Sequence, residues 1–133
     1  LIKILRQNKI YLVYYPLAIY WLLLVYLTSV PTTPLDNILT FSDKFKHFIA
    51  YFLLSVLFTI ALFLQQKYQR LKKQYLFFSL SIVILYGLLD EIHQLFIPGR
   101  FCDPLDFTAD TLGAIAGTFF TVIFIIKREK VVV

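Results

Sequence analysis

Residues 74–100 read QYLFFSLSIVILYGLLDEIHQLFIPGR. The first sixteen carry no formal charge, and then Asp90, Glu91, His93, Gln94 and Arg100 arrive within eleven residues. A helix rises about 1.5 Å per residue, so roughly 20 apolar residues cross the hydrocarbon core of a bilayer. The run is therefore long enough to span a membrane, with its polar groups held at one end. Three further blocks have the same character. The four spans are expected at about residues 10–30, 47–64, 75–97 and 107–126, each long enough by the same rule.

The whole chain agrees with this reading. It has 133 residues, and 59% of them are hydrophobic. A soluble domain of this length needs more polar surface. Lipid offers no partners for backbone groups, so each span should be helical. The alternating pattern of a membrane β-barrel is absent. The expected fold is one all-α domain over residues 1–133, an integral membrane four-helix bundle. No small-residue cleavage site follows the first block, which is read as a retained span. The aromatic run YLVYYPLAIYW (residues 11–21) fits interfacial and packing roles, and VPTTP (residues 30–34) fits a prolyl exit turn.

Charge supplies an orientation. The segments before the first block, between the second and third, and after the fourth hold ten basic residues: Lys3, Arg6, Lys9, Lys67, Arg70, Lys72, Lys73, Lys127, Arg128 and Lys130. Glu129 is the one acid among them. The other two connections hold Lys44, Lys46 and Arg100 with seven acids: Asp36, Asp43, Asp90, Glu91, Asp103, Asp106 and Asp110. The positive-inside rule puts both termini in the cytoplasm and the acidic connections outside. Because the basic residues flank spans, they fit topology and anionic lipid, and no nucleic-acid partner is expected. The single cysteine, Cys102, excludes an internal disulfide.

Helical spacing sorts the acidic groups. At 100° per residue, Gly87, Asp90, Glu91 and Gln94 share an arc of about 100°, while His93 lies outside it. Asp106, Asp110, Gly113 and Gly117 share about 60° of the fourth helix, and GAIAG (residues 113–117) is a small-residue packing pattern. The helix that packs on these glycines should lie beside the two aspartates. Asp103-Pro104 fits an N-cap followed by proline. Asp43, His47 and Tyr51 step by four along the second helix, where Ser42 or Asp43 is the expected cap and Lys44 and Lys46 can snorkel outward. Pro98 and Gly99 should turn the chain, leaving Arg100 to pair with Glu91 or the aspartates, or to bind an anion.

Two blocks carry a family resemblance. They are DKFKHFIAYFLLSVL (residues 43–57) and DEIHQLFIPGRFCDPLDFTADTLGAIAG (residues 90–117). With their spacing DK-x-x-H, DE-x-x-Q-x-F-x-P-x-R and D-x-x-A-N/D-x-x-G, the chain resembles the VanZ-like family of small bacterial membrane proteins. The residues that carry it are Asp43, Lys44, His47, Tyr51, Asp90, Glu91, Gln94, Phe96, Pro98, Gly99, Arg100, Asp106, Asp110, Gly113 and Gly117. Where the family usually has Asn, this chain has Asp110, which when ionised only accepts hydrogen bonds. The family takes its name from a member linked to teicoplanin resistance. The resemblance implies an envelope function at the outer leaflet of the bacterial cytoplasmic membrane.

Three functions follow as alternatives. The first is an outward-facing pocket for an anionic envelope component, a lipid-linked cell-wall precursor or a phospholipid head. Its expected ligand-binding residues are Asp43, Lys44, His47, Tyr51, Asp90, Glu91, Gln94, Arg100, Asp106 and Asp110, with Gly87, Gly113 and Gly117 as packing positions. The second is a membrane enzyme acting on a phosphate or ester, with His47, Glu91 and Asp106 as catalytic candidates. The third is a structural or assembly subunit whose buried polar network fixes helix register. No cofactor or metal motif is present. A hard divalent ion held by the histidine and carboxylates is the one metal these residues offer.

Overall fold

The computed structural model describes residues 1–31 and 40–127, with side chains from Asp43 onward in the second part. The expected contributions of Asp36, Arg128, Glu129 and Lys130, and most of the VPTTP turn, lie outside the described residues.

The chain folds into α1 (Ile2–Gln7), α2 (Ile10–Ser29), α3 (Thr40–Leu64), α4 (Gln69–Lys73), α5 (Tyr75–Gln94) and α6 (Pro104–Ile126). Four of these, α2, α3, α5 and α6, are long and apolar enough to cross a membrane. They form an all-helical bundle, with no strand among the described residues. Large apolar side chains such as Ile19, Leu22 and Phe77 stand exposed on its outside, as contact with lipid requires. The protein is a multi-pass membrane protein.

Hydropathy alone places two helix starts too late. Ser42, Asp43 and Lys44 lie inside α3, so neither Ser42 nor Asp43 is its cap. The first turn of α6 also precedes the apolar block, and it is capped as expected. Asp103 is the N-cap, its Oδ1 accepts from the Leu105 N–H at 2.8 Å, and Pro104 occupies the first turn. In contrast, α5 ends at Gln94 rather than Ile97. A turn then follows, in which the Arg100 N–H donates to the Ile97 carbonyl at 3.1 Å and Gly99 has φ 79°. That positive φ suits glycine at the third position of a type II turn after proline.

The tightest pair is α3 with α6. A Cβ on Gly113 would collide with the Phe48 carbonyl, and one on Gly117 with the Phe52 carbonyl. The backbones approach this closely because glycine leaves no side chain between them. Against this pair α5 packs on both helices, and α2 adds a looser fourth wall against α3 and α5. Trp21 of α2 makes edge-on contacts with Phe58 and Tyr86, with centroids 5.5 and 5.3 Å away. Two features at the basic end depart from regular helix. A wider π-helical turn opens α2 over Ile10–Tyr14, ahead of Pro16, which has no N–H to donate. Another closes α6 over Thr121–Ile126, where the Thr121 hydroxyl competes for the Gly117 carbonyl at 2.9 Å.

Candidate functional site

The short loops make neighbouring spans antiparallel, so the start of α3, the end of α5 and the start of α6 meet at one end of the bundle. This acidic end gathers the polar groups that the spacing singled out. The expected inward face of α5 is confirmed, because Gly87, Asp90, Glu91 and Gln94 are all buried. So is that of α6, where Asp106, Asp110, Gly113 and Gly117 are buried together. The glycines bring α3 against this face, as expected, and α3 supplies Lys44, His47 and Tyr51.

Two pairs of contacts tie α3 to α6. His47 Nδ1 lies 2.9 Å from Asp110 Oδ1. One turn nearer the surface, the Lys44 ammonium donates to Asp106 Oδ1 at 2.5 Å and also to Asp103. Asp103 lies outside the spans, and the Lys44 ammonium, helped by the Leu105 N–H, holds its carboxyl below the ordinary range. A third set ties α5 to the entry of α6. Glu91 Oε2 accepts from the Asp103 N–H at 2.9 Å, and Gln94 Nε2 donates to Glu91 Oε1 at 3.3 Å. Asp43 is half-buried beside this cluster, and its carboxylate, His47 and Asp106 offer ligand atoms within 4.8 Å of one another. His47, Glu91 and Asp110 form a second such set.

Gly87 sits where these walls meet. A Cβ there would stand 3.1 Å from Tyr51 Cε1 and 3.5 Å from Asp110 Oδ2. Glycine on α5 therefore makes room for the Tyr51 ring and the Asp110 carboxylate. Among the described residues, Tyr51 Oη, Asp90 Oδ2 and Asp110 Oδ2 are buried without a hydrogen-bond partner.

Arg100 departs from its expected pairing. Its guanidinium does not reach Glu91 or the aspartates. It donates through Nε to the Val30 carbonyl at 3.0 Å and through an Nη to the Leu27 carbonyl at 2.8 Å. The last carbonyls of a helix have no partner within it and carry partial negative charge. The end of α2 therefore draws the cation that the acids were expected to take. His93, off the inward face as its spacing implied, lies 3.1 Å from Ser29 Oγ. Arg100 thus fastens the α5–α6 loop to α2, and His93 fastens the end of α5 to it.

On α3 the polar row runs deeper than Tyr51. The row Asp43, His47, Tyr51 continues at the same step of four through Ser55 and Thr59, both fully buried. Ser55 Oγ donates to the Ala114 carbonyl at 2.7 Å and lies 2.7 Å from Thr118 Oγ1. Thr59 Oγ1 lies 2.7 Å from Ser79 Oγ. A hydroxyl network therefore runs below the acids, through a stretch of α5 that carries no formal charge. Continuing the four-residue row would have found it.

Beside the acidic cluster, a groove of about 400 Å³ runs between α2 and α3. Tyr20 and Ala50 close its deep end, where the Tyr20 hydroxyl donates to the Ala50 carbonyl at 3.0 Å. Leu23, Leu24 and Ile49 form its apolar walls, and Leu27, Phe45 and Lys46 its end nearest the acids. Lys46 is exposed, and Arg100 donates to the carbonyl of Leu27, one of the lining residues. Chemically, the acidic end presents a histidine–carboxylate pair, buried acceptors suited to hydroxyls or a cation, and an apolar groove with Lys46 in its lining.

The VanZ/LLP1 family model matches residues 10–126. The match covers all four spans, and the chain belongs to this family. No curated protein and no solved structure matches the chain.

Proposed function

We propose that this VanZ-family protein binds an anionic lipid of the cell envelope, with the lipid head at the acidic end and its chain in the α2–α3 groove. In this reading the acidic end faces outward from the cytoplasmic membrane and both termini face the cytoplasm, in line with the charge distribution. The observation that carries it is the groove itself, apolar along its walls, with Lys46 in its lining and Arg100 bonded to the carbonyl of Leu27, another lining residue. An acyl or polyprenyl chain suits the walls, and a phosphate suits the two cations. The neighbouring acids suit the hydroxyls of a glycerol or sugar head. A lipid-linked cell-wall precursor has this combination, and its capture would bear on glycopeptide susceptibility.

Thermal unfolding of the purified protein tests the proposal. Phosphatidylglycerol should raise the midpoint of the wild type more than phosphatidylcholine does, and Lys46→Gln should remove the difference. Equal responses to both lipids in the wild type would contradict it.

One observation favours a second reading, in which the site also hydrolyses a phosphate ester of the bound lipid. The His47–Asp110 pair has the geometry of a general base and the carboxylate that orients it. Phosphate release that stops in His47→Gln, while lipid stabilisation persists, would establish this reading; release unchanged by the substitution would remove it.

A further inference from the structure

We propose that His47, Glu91 and Asp110 hold a divalent cation where α3, α5 and α6 meet. The three residues offer one nitrogen and two oxygens that all lie within 4.8 Å of one another. Ligand atoms about 2.0–2.2 Å from a metal stand at most about 4.4 Å apart. The set is therefore within a few tenths of an ångström of closing around an ion, on side chains from three different helices.

An independent observation points the same way. Asp110 is 1% exposed, and its Oδ2 has no hydrogen-bond partner. That oxygen is turned toward α5, 3.5 Å from where a Gly87 side chain would begin. Glu91 lies one helical turn beyond Gly87 on the same buried face. An acceptor left empty at this depth is costly, more so if the carboxylate is charged. Tyr51 Oη and Asp90 Oδ2, also buried and without partners, lie in the same region.

The balance of charge gives the missing species its sign. Asp90, Glu91, Asp106 and Asp110 are each 5% exposed or less. The Lys44 ammonium is already engaged by Asp103 and Asp106. That leaves His47 as the basic group beside Glu91 and Asp110, while Asp90 also has His93 near it. A cation between them would offset the excess and fill the empty Asp110 oxygen. The alternative set of Asp43, His47 and Asp106 is less apt, because Lys44 occupies Asp106 and Asp43 is only half-buried.

The supporting contacts are those of a held ligand. The Asp103 N–H and the Gln94 amide fix both oxygens of Glu91 while leaving each a lone pair. The donors are one imidazole and two carboxylates, without a thiolate. That chemistry suits Mn²⁺ or Zn²⁺. The inference does not depend on the lipid reading, since the groove and its cations take no part in it.

The test uses the purified full chain, stripped with a chelator and titrated with Mn²⁺ under electron paramagnetic resonance. The expected result is one bound Mn²⁺ per chain, displaced by Zn²⁺, with nitrogen modulation from a coordinated imidazole. The modulation should persist in His93→Gln and vanish in His47→Gln. Asp110→Asn should weaken binding at least about tenfold. The wild-type spectrum decides the matter even if a variant fails to fold. A wild type that binds neither ion, or binds Mn²⁺ without nitrogen modulation, overturns the proposal. Equal Mn²⁺ binding by a folded His47→Gln protein would overturn it too.

Discussion

His47 Nδ1 and Asp110 Oδ1 meet at 2.9 Å across the α3–α6 interface, one turn from the point where Gly113 lets the two backbones touch. Close packing and polar contact thus reinforce each other. The pair should therefore be energetically coupled. In a double-mutant cycle of His47→Ala and Asp110→Ala, the coupling should amount to about 0.5–3 kcal/mol. Reversible unfolding in detergent measures it, and strictly additive effects would show that the contact does not operate as a unit.

Gly113 should tolerate no larger residue. A side chain there meets the Phe48 carbonyl, which belongs to a helix backbone and cannot swing aside. Gly113→Leu should cost at least about 1–3 kcal/mol by overpacking and separate α3 from α6. Leu112 faces outward on the same helix, so Leu112→Ala is the control. A Gly113→Leu protein with wild-type stability would refute the glycine contact.

Lys44 should stabilise the protein through the carboxylates it holds. Removing it leaves Asp106 buried without its donor, at a cost of about 1–3 kcal/mol in Lys44→Met. Asp106→Asn in the same chain should recover part of that loss. The effect should also depend on pH. Asp103 has its carboxyl held low by Lys44, so its contribution is fully present above the ordinary carboxylate range. It is lost as pH falls through the depressed value. The stability gap between wild type and Lys44→Met should therefore narrow in acid, and a gap independent of pH would argue against the pairing.

Orientation can be read from the single cysteine. Cys102 is exposed in the loop between α5 and α6, at the acidic end. With that end outward, a membrane-impermeant maleimide should label Cys102 in intact cells, and the Cys102→Ser protein should give no signal. Labelling only after the membrane is opened would reverse the topology.

Much of this arrangement was legible in the sequence, because a bilayer imposes simple rules. Length and hydropathy identified all four spans, and a 100° step identified the buried faces of α5 and α6. Hydropathy marks lipid contact and misses the polar first turns of α3 and α6; the Asp103-Pro104 cap recovers the start of α6, whereas α3 begins ahead of Ser42 and Asp43, its expected caps. Asp43, Lys44 and Asp106 are helical there. Ser55, Thr59, Ser79 and Thr118 were passed over because a hydroxyl carries no charge to flag it, although Ser55 and Thr59 extend the visible row. Arg100 departs from its expected pairing with the acids for another reason. Its partners are the backbone carbonyls of Leu27 and Val30, which leave no mark in residue identity. Its seat depends on α2 lying beside the turn at Gly99, a tertiary fact.

Lipid binding at the α2–α3 groove, with Lys46 and Arg100 meeting the phosphate, is the central functional claim, and the bound molecule itself tests it most directly. The protein should be extracted with its native membrane patch and its retained lipids identified by mass spectrometry. The account predicts an anionic lipid, held at one per chain by the wild type and lost when Lys46→Gln is combined with Arg100→Gln in a protein that still folds. A wild type that retains only the bulk lipid composition, or a double variant that keeps the same anionic lipid, would contradict it.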